Sequence, residues 1–244
     1  MTTINPPLRG RARLTFWAHL FKALTRQHHT ELIPILRPVL PPDGIVFDVG
    51  AHAGQMAKLF AIMAPQGHVY AFEPGAYALS ILRPMVQLRG RGRISIDAIA
   101  FGAKPGTLTL NTPIKKSGSL GFGLSHLGQG AEGDNVFRHD VAVETVDGYV
   151  AANDIRRLDL IKADIEGWEM QLLLGAAETL AKLRPVVFLE AVDFYLARAG
   201  DSRAALWAFM RARDYRARRL ESGLPPFDPE ADGDVVWVPA ERLS

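Results

Sequence analysis

The chain has 244 residues, 48% hydrophobic and 22% charged, enough for one large domain with a filled core or two small ones. A net charge of +2 gives no general pull toward nucleic acid, and no nucleic-acid partner is expected; the absence of cysteine excludes disulfides, thiolate metal sites and cysteine nucleophiles and fits a cytoplasmic setting. No apolar run approaches the roughly 20 residues that span a bilayer, and the basic N-terminus, interrupted by His19 and Lys22, does not read as a signal peptide.

Residues 1–10 read as a tail. Leu14, Trp17, Phe21 and Leu24 then recur at helical spacing, with Phe16 and Leu20 beside them. We read a helix packed on the main domain; a lid, a membrane-surface helix or a dimer contact is the sharper alternative, and a homo-oligomer stays open. Thr30 can cap a second short helix limited by Pro38, Pro41 and Pro42. Residues 1–42 are taken as an N-terminal helical extension, and 43–244 as the main domain.

Strand and helix patterns then alternate. Strands are expected at 45–49, 68–72, 94–99, 107–110, 141–145, 158–163, 186–191 and 235–238. Helices are expected at 55–64, 76–88 with a kink at Pro84, 147–152, 168–183 and 202–213. Such alternation predicts an α/β fold, a mostly parallel doubly wound sheet covered on both faces. Residues 112–135 depart from it: six glycines are interleaved with Leu120, Phe122, Leu124 and Leu127. A loop of that length reads as a flap near the substrate or as an excursion without structure. Arginines cluster at positions 9, 11 and 13 and again at 211, 213, 216, 218 and 219, runs that usually form solvated faces.

Two segments carry the chemistry. In the first, Ile45-Val-Phe-Asp-Val-Gly-Ala-His-Ala-Gly54, an apolar run ends in Asp48 and enters a glycine turn; Tyr70-Ala-Phe-Glu-Pro74 then ends a second run in Glu73. This is the layout of a nucleoside pocket at the edge of a parallel sheet. The spacing is G-x-x-x-G rather than G-x-G-x-x-G, and Asp48 would repel a pyrophosphate in a dry crevice. A cationic cofactor without phosphate, S-adenosylmethionine (S-adenosyl-L-methionine), suits the acids better. Glu73 follows Gly54 by 19 residues, near the spacing at which an acid reaches a ribose diol. Candidate cofactor-binding residues are Asp48, Gly50, Ala51, His52, Gly54, Glu73 and Pro74. An ordinary glycine turn with Asp48 as a helix cap would leave Glu73 unexplained.

The second segment, Leu160-Ile-Lys-Ala-Asp-Ile-Glu-Gly-Trp-Glu169, crowds Lys162, Asp164, Glu166 and Glu169 at a strand end, and Glu190 ends the following strand. Helix capping explains some of these acids. The strand ends nevertheless form the ligand crevice of such a sheet, where converging carboxylates need a cation, a proton or a metal.

These segments resemble the FkbM family of S-adenosylmethionine-dependent methyltransferases. Ala100-Phe-Gly102 with Gly106, and Thr145-Val-Asp147, add to a match running from about Ile45 to Glu190. The resemblance implies a class I methyltransferase (Rossmann-like) fold, seven strands with the last antiparallel. It also implies methyl transfer, most often to a hydroxyl of a sugar or secondary metabolite, so the partner is a small-molecule or glycan acceptor. Relatives often carry Asn where His52 stands; histidine also titrates near neutrality. At the adenine-contact position, Asp97-Ala98 and Ile99-Ala100 both fit, and Asp97 has the better chemistry as an acceptor for the amino group. By motif position Asp164 goes to the cofactor side. Glu166 is the first choice for hydroxyl binding or proton acceptance, and Glu190 the second catalytic candidate. A hard cation on Asp164, Glu166 and Glu190 is chemically admissible, but nothing requires it and no metal is assigned. The competing readings are a non-catalytic binding protein on the same fold and an NAD-dependent oxidoreductase.

Overall fold

Apolar strand patterns from both halves of the chain are brought side by side in the computed structural model, which describes residues 11–113, 126–127, 136–227 and 233–243. The helices of the N-terminal segment are α1 (Arg11–Thr25) and α2 (Leu32–Leu36). The alternating part follows as β1 (Ile45–Val49), α3 (Gln55–Met63), β2 (His68–Phe72), α4 (Ala76–Arg89), β3 (Ile94–Asp97), β4 (Ala100–Phe101), β5 (Gly106–Pro113), β6 (His126–Leu127), β7 (Val136–Glu144) and α5 (Val146–Ala152). Then come β8 (Leu160–Ala163), α6 (Glu169–Leu174), α7 (Ala177–Lys182), β9 (Val186–Ala191), α8 (Asp193–Arg198), α9 (Arg203–Arg211), β10 (Tyr215–Arg219) and β11 (Gly233–Pro239).

Seven strands form the main sheet in the order β10-β11-β9-β8-β1-β2-β3. β11, the last strand of the chain, runs antiparallel to both β9 and β10, and the other pairs are parallel. This is the seven-stranded, mostly parallel arrangement expected. Val46, Phe47, Leu160, Ile161, Val186, Val187 and Leu189 are fully buried, as strands covered on both faces require. The chain order reverses between β1 and β8, so a crevice opens at their carboxyl ends.

A smaller sheet, β4-β7-β5-β6, was not separated in the sequence reading. Its centre is the antiparallel β5–β7 pair, which runs from Gly106↔Val143 to Pro113↔Val136. The two strands expected at 107–110 and 141–145 are thus the base of a longer hairpin. Most of the expected flap, residues 114–125 and 128–135, lies outside the described residues.

Other differences have local causes. The helix expected over 168–183 is broken at Gly175–Ala176. There the Gly175 carbonyl accepts from the Asp147 N–H, and the Asp147 carboxylate accepts from the Glu178 and Thr179 N–H groups and the Thr179 hydroxyl. Tertiary hydrogen bonds replace a helix turn. The arginines at 216, 218 and 219 belong to β10 at the sheet edge, where Arg216 and Arg219 are exposed as a solvated face requires. Charge on an edge strand discourages pairing with another chain. Tyr215 anchors β10 with a fully buried ring.

The first helix packs on the main domain, but through a different face from the one its spacing suggested. Phe16, Leu20 and Ala23 pack against the core, and His19 Nδ1 lies 3.2 Å from the Tyr77 hydroxyl on α4. Lys58 Nζ donates to the carbonyls of Ala23 and Arg26, satisfying the end of α1. Leu14, Trp17 and Phe21 are exposed.

Candidate active site

The turn after β1 is held by glycine for steric reasons. Gly50 has φ +72°, and a Cβ there would lie 2.1 Å from the Asp164 carbonyl oxygen. Only glycine lets the loops after β1 and β8 touch. Gly54, with φ +78°, opens α3, and a Cβ there would strike Met85 and Leu82 of α4. Gly54 therefore shapes the turn and lies outside the cavity wall.

Four of the turn's N–H groups are spent internally. Those of Gly50 and Ala51 donate to the Phe72 carbonyl, that of Gly54 to the Ala51 carbonyl, and that of His52 to Glu73 Oε2. Four donors that could cradle a phosphate are occupied, unlike a dinucleotide-binding loop.

Beyond this turn lies a cavity of about 320 Å³. Of the residues expected at the cofactor, Gly50, Ala51, His52, Glu73, Pro74 and Asp164 line it, together with Glu166. Glu73 is almost fully buried at the end of β2. Its Oε1 accepts from the Gly75 N–H at 2.7 Å and its Oε2 from the His52 N–H at 2.8 Å. Burial outweighs these bonds and pushes its pKa up to about 7. His52, in left-handed backbone with φ 53°, is pushed down to about 4 by burial and then by the Lys162 charge. It is neutral at physiological pH, so it offers hydrogen bonding as an asparagine would, rather than titration near neutrality.

Asp48, Asp97 and Glu190 stand apart from the cavity wall. Asp48 is fully buried behind it and reaches the cavity through Lys162, whose Nζ is 3.6 Å from Asp48 Oδ1, 3.7 Å from Asp164 Oδ2 and 3.3 Å from the Gly50 carbonyl. Burial raises the Asp48 pKa and the Lys162 charge opposes that. Asp97 Oδ2 accepts a 2.6 Å hydrogen bond from the Tyr149 hydroxyl, at the edge of a ring cluster of Phe47, Phe72, Phe101 and Tyr149. Ile99 and Ala100, the alternative register, do line the cavity. Glu190 pairs across the sheet with Asp234. Burial, then the charges of Asp164, Asp234 and Glu166, push it up to about 7.

Glu166 takes left-handed backbone, φ 56°, in the loop after β8. Arg198 Nη2 donates to its carbonyl at 2.8 Å and stands 3.8 Å from its carboxylate. Burial and then Asp164 raise its pKa. Glu169 shapes this loop from below: buried, it accepts from the N–H groups of Ile165 and Gly167, which fixes the backbone presenting Asp164 and Glu166. Among the described residues, no group of three or more His, Asp or Glu is arranged to hold a metal ion.

Three polar residues of the cavity wall were not among the expected cofactor or catalytic residues. Lys162 was legible in principle, since a lysine inside an apolar strand needs a buried counter-charge, and the register pairs it with Asp48. Gln55 opens α3, and its Oε1 is a buried acceptor with no protein partner among the described residues. His29, from the N-terminal segment, reaches the wall through a left-handed turn with φ 61° that no motif announces.

The donor and acceptor set suits S-adenosylmethionine. Glu73 and Gln55 can accept from hydroxyl or ammonium groups, Lys162 can face a carboxylate, and four N–H groups of the glycine turn are already bonded. The family comparison agrees. The methyltransferase FkbM domain matches residues 48–217, and the chain belongs to that family. Among curated proteins it is 31% identical over 185 residues to the AMB antimetabolite synthetase AmbE of Pseudomonas aeruginosa, an alignment covering 61% of this chain and 8% of that protein. It is 26% identical over 167 residues to the 2-O-methyltransferase NoeI of Sinorhizobium fredii, covering 64% of this chain and 65% of NoeI. The chain thus spans less than two thirds of either relative. The fold is similar to that of the crystal structure of methyltransferase FkbM from Methylobacillus flagellatus KT, with TM-score 0.50 and 15% identity over 93% of this chain and 60% of that one.

Proposed function

We propose that the chain is an S-adenosylmethionine-dependent O-methyltransferase acting on a hydroxyl of a sugar or secondary metabolite. The observation that carries the cofactor part is buried Glu73 in the cavity wall, beside a glycine turn four of whose N–H groups are already bonded. The O-methyl part is supported by NoeI, named a 2-O-methyltransferase.

Glu73 would accept from the ribose hydroxyls, with Lys162 and Gln55 at the amino-acid end and Ile99 and Ala100 as apolar wall for the base. When bound, the cofactor supplies a methyl group on a sulfonium, already activated for transfer to a nucleophile. What remains for the protein is alignment, exclusion of water and removal of one proton. Glu166 is the group for that proton. Its carboxylate lines the cavity at the β8 strand end and carries a raised pKa, so it holds a proton more readily than a solvated acid. Asp164, bridged to Lys162, stays on the cofactor side. Glu190 neighbours both through charge and would assist as a second acceptor.

The test is transfer of labelled methyl from S-adenosylmethionine to a panel of hydroxylated and amine acceptors. Label in ether-linked products of sugars or secondary metabolites supports the proposal. Label only in amine products, or none while S-adenosylhomocysteine binds, contradicts O-methylation and favours a binding protein.

A further inference from the structure

The outer face of α1 carries three exposed large apolar side chains. Leu14, Trp17 and Phe21 are 72%, 60% and 68% exposed and follow one another at helical spacing. The helix is held in place from behind, so these side chains are not awaiting a place in the core: Phe16, Leu20 and Ala23 already fill that role. Its charge is one-sided. Residues 9–26 carry Arg9, Arg11, Arg13, Lys22 and Arg26, and the first acid in the chain is Glu31. Lys22 and Arg26 are exposed.

We infer that α1 is a docking face for an anionic membrane surface, with Leu14, Trp17 and Phe21 entering the headgroup layer and exposed Lys22 and Arg26 facing lipid phosphates. Leucine and aromatic side chains beside lysine and arginine, with no acid, are what a helix lying in the interfacial plane needs. Trp17 has an apolar ring and a polar N–H, which suits that depth. Charge selects lipid over a second copy: two such faces brought together would oppose like charges, whereas an anionic leaflet neutralises them. The helix rests on the surface rather than spanning it, for none among the described residues is long and apolar enough to cross a membrane.

The test is co-sedimentation of the full chain with vesicles of mixed phosphatidylglycerol and phosphatidylcholine, and with phosphatidylcholine alone, at low and high salt. The expected result is pelleting with the anionic vesicles only, weakened by salt. A blue shift of tryptophan emission should accompany it and be lost in Trp17→Phe. The double variant Trp17→Ser/Phe21→Ser should lose at least tenfold in vesicle affinity while binding S-adenosylhomocysteine as the parent does. No pelleting with anionic vesicles, equal pelleting with neutral ones, or binding retained by the double variant would overturn the proposal. So would light scattering that shows a dimer dissolved by the double variant, because a second copy would then cover the stripe.

Discussion

Lys162 Nζ stands 3.6 Å from Asp48 Oδ1, with the two side chains 7% and 0% exposed, and extends that buried pair into the cavity wall. The parallel register of β1 and β8 sets Asp48 opposite Lys162, so the sheet itself delivers the pair. Asp48 holds the lysine in place, and the lysine, not Asp48, lines the cavity.

Lys162→Met should leave the Asp48 carboxylate buried without its counter-charge and destabilise the fold by roughly 3–5 kcal/mol in urea unfolding. Adding Asp48→Asn to Lys162→Met should recover most of that loss. If Lys162→Met alone is as stable as the parent, the pair does not hold the cavity wall.

Glu73 gives a pH signature. Its pKa rises from 4.5 to about 7 in the free fold, so the folded chain binds a proton there that the unfolded chain has lost. Its contribution to stability is full below about pH 4.5 and is lost as the pH rises through 7. Cofactor hydroxyls donate best to the ionised form, so S-adenosylhomocysteine affinity should rise from pH 6 toward pH 8, by at most about tenfold per unit. Glu73→Gln should flatten that profile, and an unchanged slope in this variant would remove Glu73 from the cofactor site.

Gly50→Ala tests the contact between loops. A Cβ 2.1 Å from the Asp164 carbonyl oxygen at positive φ forces the two strand ends apart. The variant should lose about 2 kcal/mol or more of stability, with weaker cofactor binding. Parent-like calorimetric titration and unfolding curves would show that the loops need not touch.

Glu166→Gln should lower kcat by about a hundredfold or more, the lower end of a general base's contribution, with cofactor affinity changed little. Glu190→Gln should cost less, because Glu190 stands outside the cavity wall. Equal turnover of Glu166→Gln and the parent would assign the proton to another group.

Much of this was legible in the sequence because its patterns are local. The apolar runs at 45–49, 68–72 and 186–191 match strands residue for residue, and the glycine turn and Glu73 follow from spacing along the chain. What stayed hidden depends on contacts between distant residues. The gap after α6 comes from Asp147, 28 residues before Gly175. The second sheet is built on the β5–β7 pairing, with β4 added along β7. Asp48 and Asp97 looked like ligand acids because strand ends face the crevice; their partners are Lys162, set opposite Asp48 by the β1–β8 register, and Tyr149, 52 residues away on α5. On α1, helical period showed an apolar stripe, but not that its neighbour through Phe16 and Leu20 was the one buried.

Whether the cavity beside Glu73 takes S-adenosylmethionine is decided by calorimetric titration with S-adenosylhomocysteine, with NAD as the control. S-adenosylhomocysteine should bind in the micromolar range, at least tenfold more weakly to Glu73→Ala, and NAD should give no heat. Binding of NAD in its place, or S-adenosylhomocysteine affinity untouched by Glu73→Ala, would contradict that assignment.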